Sequence, residues 1–250
     1  RIESASFLVT FNGKAFDVPT LQGRYVMNRL PPLPERPHFD LLHVARRLHR
    51  TRIRSCTLKA VESEVLGFVR DADIDGADVA PRYAHFLRTG DENALRTVVD
   101  HNAWDVVSMA ALVGLYGEPL GTLHREDLVG LARTYRRARA FERAEEAAET
   151  AVRRGAGVEG LRVRGEIAKA RGDRQRALTD FEALAKAVDD PRARLELSKL
   201  YEHFVKEPSV ALELTMQGTG EAPEATERRR ARLERKVLQR RQTRETPAKS

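Results

Sequence analysis

The 250 residues hold one cysteine, Cys56, and one tryptophan, Trp104. A lone thiol excludes an internal disulfide and fits a reducing compartment, so a cytoplasmic protein is expected. No apolar run approaches the ~20 residues of a membrane-spanning helix, and no signal-peptide pattern precedes the first apolar segment. No membrane partner is therefore expected. A strong charge bias is also missing from the body of the chain. Residues 1–117 carry 15 basic and 14 acidic side chains, and residues 118–220 carry 19 and 18. Residues 221–250 carry 10 and 5, so most of the net +7 sits in the last thirty residues. Overall basicity is thus a poor argument for nucleic-acid binding by the folded part.

What is present begins with Leu8-Val9-Thr10-Phe11-Asn12-Gly13-Lys14-Ala15-Phe16-Asp17-Val18-Pro19. Phe7 to Phe11 reads as a short buried strand ended by an Asn-Gly turn. A helix begins near Phe16, with Pro19 tolerable in its first turn. Asp17 then stands beyond the carboxyl end of a strand, where open α/β sheets keep ligands. A helix-capping role for Asp17 is the alternative. Farther on, His101-Asn102-Ala103-Trp104-Asp105 lies within an apolar-periodic stretch running from Asp91 or Glu92 to Tyr116. His101 and Asp105 would share one face of that helix, one turn apart.

The first stretch resembles the second motif of the DEDD superfamily of 3′–5′ exonucleases, and the second resembles its third motif. The likeness is nearest to the YprB-like ribonuclease H-like branch and to proofreading domains of family B polymerases, and covers about the first 117 residues. It implies that Asp17 and Asp105 are ligands of two divalent ions, Mg²⁺ or Mn²⁺, with carboxylates as the hard donors such ions prefer. His101 would be the general base. It stands four residues before its aspartate, a spacing typical of the tyrosine-type enzymes, where the histidine type usually has five. The resemblance also implies an Asp-x-Glu first motif, absent here. The chain opens at Arg1 and meets a core strand at once, so it is read as part of a longer chain, inactive by itself as a nuclease.

Between the motifs, Leu30 to Pro37 reads as a proline-rich loop and His38 to Leu42 as a strand running into a basic helix. Thr57 is the expected N-cap of a helix from Leu58 to Leu66. Asp71 to Asp78 reads as an acidic loop, followed by a helix from Ala80 to Leu87 stopped at Gly90. Arg46, Arg47, Arg50 and Lys59 belong to a run without an intervening acid, either a phosphate-attracting surface or a solvated face. Asn12 either reaches substrate or serves the turn. Phe16 is a candidate substrate contact, yet it and Trp104 read first as core.

From Leu123 the chain becomes rich in Ala and Arg. Ala144, Ala177 and Ala211 recur at separations of 33 and 34, as do Leu128, Leu161 and Leu195. This period resembles tetratricopeptide repeats, pairs of helices that bury their apolar faces against neighbours; a generic array of helical hairpins is the alternative. Three stacked hairpins are expected over Leu123 to Thr215, with an extra residue near Lys206 and with Tyr135 and Phe181 among the buried positions. Glu221 to Ser250 is nearly free of apolar residues, so a basic helix from Ala225 to Arg241 is allowed but packing is not.

The expected fold class is an α/β ribonuclease H-like domain, incomplete at its N-terminus, followed by an all-α tetratricopeptide-like repeat domain. The boundaries are 1–117, 123–218 and a disordered basic tail over 219–250. The expected function is two-metal hydrolysis of single-stranded DNA or RNA ends from the 3′ side, with a possible protein partner on the repeats. Two alternatives are a catalytically inactive ribonuclease H-like binding module and a protein whose repeat scaffold is the working part.

Overall fold

The computed structural model describes residues 5–71 and 73–245, and these fall into two compact units divided between Leu123 and His124. The first is α/β and the second is helical. Among the described residues no helix is long and apolar enough to cross a membrane.

Strand β1, Leu8–Thr10, pairs in parallel with β2, His38–Asp40, Leu8 opposite His38 and Thr10 opposite Asp40. Helix α1, Asp17–Met27, lies between them in sequence. The strand is half-buried, and Phe7 is exposed, so the reading of a buried strand is too strong. The turn after β1 behaves as its Asn-Gly sequence demands. Asn12 takes a left-handed φ of 67°, tolerable for asparagine. A Cβ on Gly13 would lie 2.5 Å from the Thr10 side chain, so only glycine fits.

Asp40 holds this turn in place. Its Oδ1 accepts from the backbone N–H groups of Asn12 (2.8 Å) and Leu42 (3.1 Å), and its Oδ2 from Lys14 (3.0 Å). Burial works against the charge, but the three donors and the nearby His43 hold the carboxyl below the usual carboxylate range. One side chain thus ends β2, caps helix α2 (Leu41–Leu48) and fixes the loop leading to Asp17.

Thr57 caps α3, Leu58–Val61, as its sequence position suggests, accepting from Ala60 N–H at 3.3 Å. The chain then widens into a π turn, Glu62–Leu66, closed by Gly67 with a positive φ. Helix α4 spans Gly76–Thr89, starting earlier than expected because Asp75 caps it through Ala77 N–H, and ends at left-handed Gly90. Helix α5 is Asn93–Tyr116, and a short 3₁₀ turn, Leu120–Thr122, follows. The core of this unit joins Leu41, Ala45, Ile53, Val61 and Leu112. It uses only part of the apolar repeat on α5, since Val99 and Val106 are exposed. Phe16 (65% exposed) and Trp104 (43%) are not core residues either. Trp104 packs its ring on Phe68, centroids 5.1 Å apart, and leaves the other side open.

The second unit contains three helical hairpins. They are α6 (Arg125–Arg137) with α7 (Phe141–Arg153), α8 (Gly157–Arg171) with α9 (Arg174–Ala187), and α10 (Pro191–Leu200) with α11 (Pro208–Met216). Ala144, Ala177 and Ala211 are each the fourth residue of the second helix in their hairpin, and each is fully buried. A methyl at that position lets the paired helices approach. Leu128 and Phe181 are buried as expected, whereas Tyr135, Leu161 and Leu195 are half-buried. The extra residue of the second interval lies in α9, which has 14 residues against 13 in α7, rather than near Lys206. Arg164, where the first hairpin has Leu131, is accommodated by Asp180, whose side chain is 1% exposed; the closest contact is 2.6 Å.

The expected disordered tail is corrected for its described part. Helix α12, Pro223–Glu245, packs on α11 and buries Leu233 completely; residues 246–250 lie outside the described residues. Its attachment is mostly ionic, which is why no apolar stripe announces it. The buried Glu202 carboxylate, on the π turn Tyr201–Val205, accepts from Arg232 through both oxygens (2.8 Å each) and from Lys236 (2.7 Å). Burial opposes its charge, but these donors prevail and hold its pKa down to about 2. A depressed carboxylate stabilises the fold above its unfolded pKa and loses that effect as pH falls through its folded one. Glu202→Gln should therefore lower the thermal midpoint at neutral pH. The gap from wild type should shrink as pH falls from about 4.5 and close near about 2. Melting curves across that range check it; a gap independent of pH would refute it.

Candidate functional site

Asp17, Lys59, Arg70, His101, Asn102 and Asp105 line one open cleft of about 720 Å³. Residues far apart in sequence meet there. Asp17 opens α1, exposed and in the first turn, where the helix dipole favours an anion. It is not the cap: the N-cap position is Phe16, and no side chain caps this helix. His101 and Asp105 face the cleft from α5. Their closest approach, His101 Nε2 to Asp105 Oδ2, is 3.7 Å, longer than a hydrogen bond.

The floor of the cleft is Arg70, whose side chain is 4% exposed. Its guanidinium engages Glu62 with two parallel bonds (Nε to Oε2, 2.9 Å; Nη2 to Oε1, 2.5 Å). It also donates to Asp105 Oδ1 at 2.6 Å and to Asp73 Oδ2 at 3.2 Å. Burial alone would lower the arginine's pKa, but bonds to Glu62 and Asp105 and the charges of both raise it further. Asp73 is held down to about 2 against burial, by hydrogen bonds from His101 and Lys59 and by the charges of His101 and Arg70. Lys59 Nζ lies 3.0 Å from Asp73 Oδ2.

Sequence reasoning missed Glu62, Arg70 and Asp73. One signal was available: Glu62 falls on the inward face of its helix with Leu58 and Val65, at the spacing of a core residue, and a charge there calls for a partner. Of the other anticipated site residues, Lys59 reaches the cleft. Asn12 serves the β1 turn with its backbone. Phe16, Arg46, Arg47 and Arg50 are exposed and outside the walls of this cleft.

Residues 1–116 match the family model described as RNase_H superfamily. This stretch is a ribonuclease H-like domain. It is of the YprB type: the uncharacterized protein YprB of Bacillus subtilis (strain 168) is 44% identical over 107 residues, 42% of this chain and 26% of that protein. The chain thus spans about a quarter of that relative's length. No solved structure matches the chain.

Ribonuclease H-like proteins usually work with divalent metal ions. The carboxylates of Asp17 and Asp105 fit that need in part, as hard oxygen donors opening on the same cleft. Arg70 already engages one oxygen of Asp105, and no group of three or more His, Cys, Asp or Glu among the described residues forms a metal site.

The Arg70–Glu62 pair makes the floor testable without any ligand. Breaking a buried ion pair by removing one partner leaves an uncompensated charge and costs ~3–5 kcal/mol. Arg70→Met should destabilise the protein by about that much in urea unfolding. Glu62→Leu combined with Arg70→Met should be milder than the sum of the single changes. Strict additivity would mean the two side chains do not interact.

Proposed function

We propose that the chain supplies part of a metal-dependent nuclease, a 3′–5′ exonuclease acting on single-stranded ends of DNA or RNA in the cytoplasm. The observation that supports it most is the meeting of Asp17, His101 and Asp105 in one cleft. Asp17 and Asp105 would hold divalent ions, Mg²⁺ or Mn²⁺ and two in number, completed by the Asp-x-Glu pair expected upstream of Arg1. Bound there, the ions supply charge neutralisation on the phosphate and the leaving oxygen. His101 takes the proton of the attacking water, and Lys59 adds a cation at the cleft wall for the nucleic-acid backbone. Arg46, Arg47 and Arg50, exposed on and just beyond α2, extend that attraction. The three hairpins resemble tetratricopeptide repeats and offer a scaffold for a protein partner.

A second reading has one observation in its favour. Arg70 neutralises Asp105 where an ion would be expected, which suits a nucleic-acid binding module without catalysis.

The two readings separate in a digestion assay with end-labelled single-stranded oligonucleotides and Mg²⁺ or Mn²⁺. The 250 residues alone should cleave little. A chain extended upstream by an Asp-x-Glu strand should cleave and stop when a chelator is added. In it, Asp17→Asn or Asp105→Asn should abolish cleavage, and His101→Ala should slow it ~10²–10⁴-fold, the usual value of a positioned base. An inert extended chain that still binds the oligonucleotide would favour the binding module.

A further inference from the structure

The contact between His101 and Asp73 is the shortest that the imidazole makes, and neither sequence motif contains Asp73. His101 Nδ1 lies 2.7 Å from Asp73 Oδ1. The other carboxylate oxygen, Oδ2, faces Lys59 Nζ at 3.0 Å and Arg70 Nη1 at 3.2 Å. Asp73 is therefore a buried carboxylate with one oxygen held by two cations and the other given to the histidine; its side chain is 7% exposed. An ionised carboxylate only accepts, so Nδ1 must carry the hydrogen. The 3.3 Å approach of Arg70 Nη1 to the same Nδ1 then sets two donors side by side and is no hydrogen bond. Only one neutral tautomer satisfies this arrangement. It leaves the lone pair on Nε2, toward Asp105 and the cleft that His101 lines.

We propose that Asp73 is a positioning residue that locks His101 in the Nδ1–H tautomer and so makes Nε2 the proton-accepting atom of the cleft. The consequence for catalysis rests on the nuclease reading above; the tautomer does not. In the proton transfer, a water O–H bond breaks, its electron pair stays on oxygen, and the proton joins Nε2. The resulting imidazolium keeps its Nδ1–H on the Asp73 carboxylate, whose negative charge stabilises it. Lys59 and Arg70 hold Asp73 from the far side, so the acceptor does not swing with the ring. This gives the chain a carboxylate–imidazole pair assembled from a loop and a helix 28 residues apart.

The test is ¹⁵N NMR of the histidine-labelled chain, at a pH where the imidazole is neutral. Wild-type His101 should show a protonated Nδ1 and an unprotonated Nε2. A wild-type spectrum with the hydrogen on Nε2 overturns the proposal, whether or not any variant folds. In Asp73→Leu the preference for Nδ1–H should be lost; its persistence would also overturn the assignment. In the upstream-extended chain, Asp73→Leu should lower kcat on a single-stranded oligonucleotide ~10–100-fold, the usual cost of losing an orienting partner, with KM little changed. Asp73→Glu should recover part of the loss. A lost tautomer preference with kcat intact would refute the positioning role. An inactive wild-type extended chain would instead sink the nuclease reading, and the spectrum would still decide the tautomer.

Discussion

One buried guanidinium organises the first unit. Arg70 ties together three pieces of chain: the π turn that presents Glu62, the loop that carries Asp73, and the helix that carries Asp105. Arginine suits the position because its planar fork offers five donors in fixed directions and stays charged when buried. Lysine would supply a charge without the two parallel bonds to Glu62. Once Arg70 is seated, Asp105 has one oxygen on the guanidinium and the other 3.7 Å from His101 Nε2, and Asp73 is pinned where His101 reaches it. The placing of His101 and Asp105 is thus set by an ion cluster beneath them.

Two aspartates near β1 show how environment separates a carboxylate spent on structure from one left open to the cleft. Asp40 is buried, and its oxygens are satisfied by three backbone N–H groups. It has little capacity left for a ligand. Asp17, across the turn that Asp40 stabilises, is exposed at the start of a helix and lines the cleft. The fold spends one acid on holding the loop and leaves the other open to solvent.

What was legible in the sequence was local. The Asn12-Gly13 turn, the Thr57 cap, the stop at Gly90 and the recurrence of Ala144, Ala177 and Ala211 each depend on a few neighbouring residues or a simple period, and each has its counterpart in the structure. The illegible parts depend on partners distant in sequence. Glu62, Arg70 and Asp73 acquire meaning only when α5 brings Asp105 and His101 to them. Helix α12 looks like solvated chain because what anchors it is a carboxylate some 30 residues away, Glu202, together with the buried Leu233. Trp104 misled for a related reason. A large apolar residue on a helix reads as core, yet this one packs on Phe68 and keeps an open side.

Under the proposed function, Asp17 and Asp105, with His101 beside them, take a divalent cation in the cleft they share. Paramagnetic broadening by Mn²⁺ in an isotope-labelled sample tests it without requiring turnover. The amide signals around Asp17 and from His101 to Asp105 should broaden first at low Mn²⁺, and excess Mg²⁺ should restore them together. Broadening centred in the helical unit, or spread evenly while these two segments stay sharp, would mean the cation does not bind there.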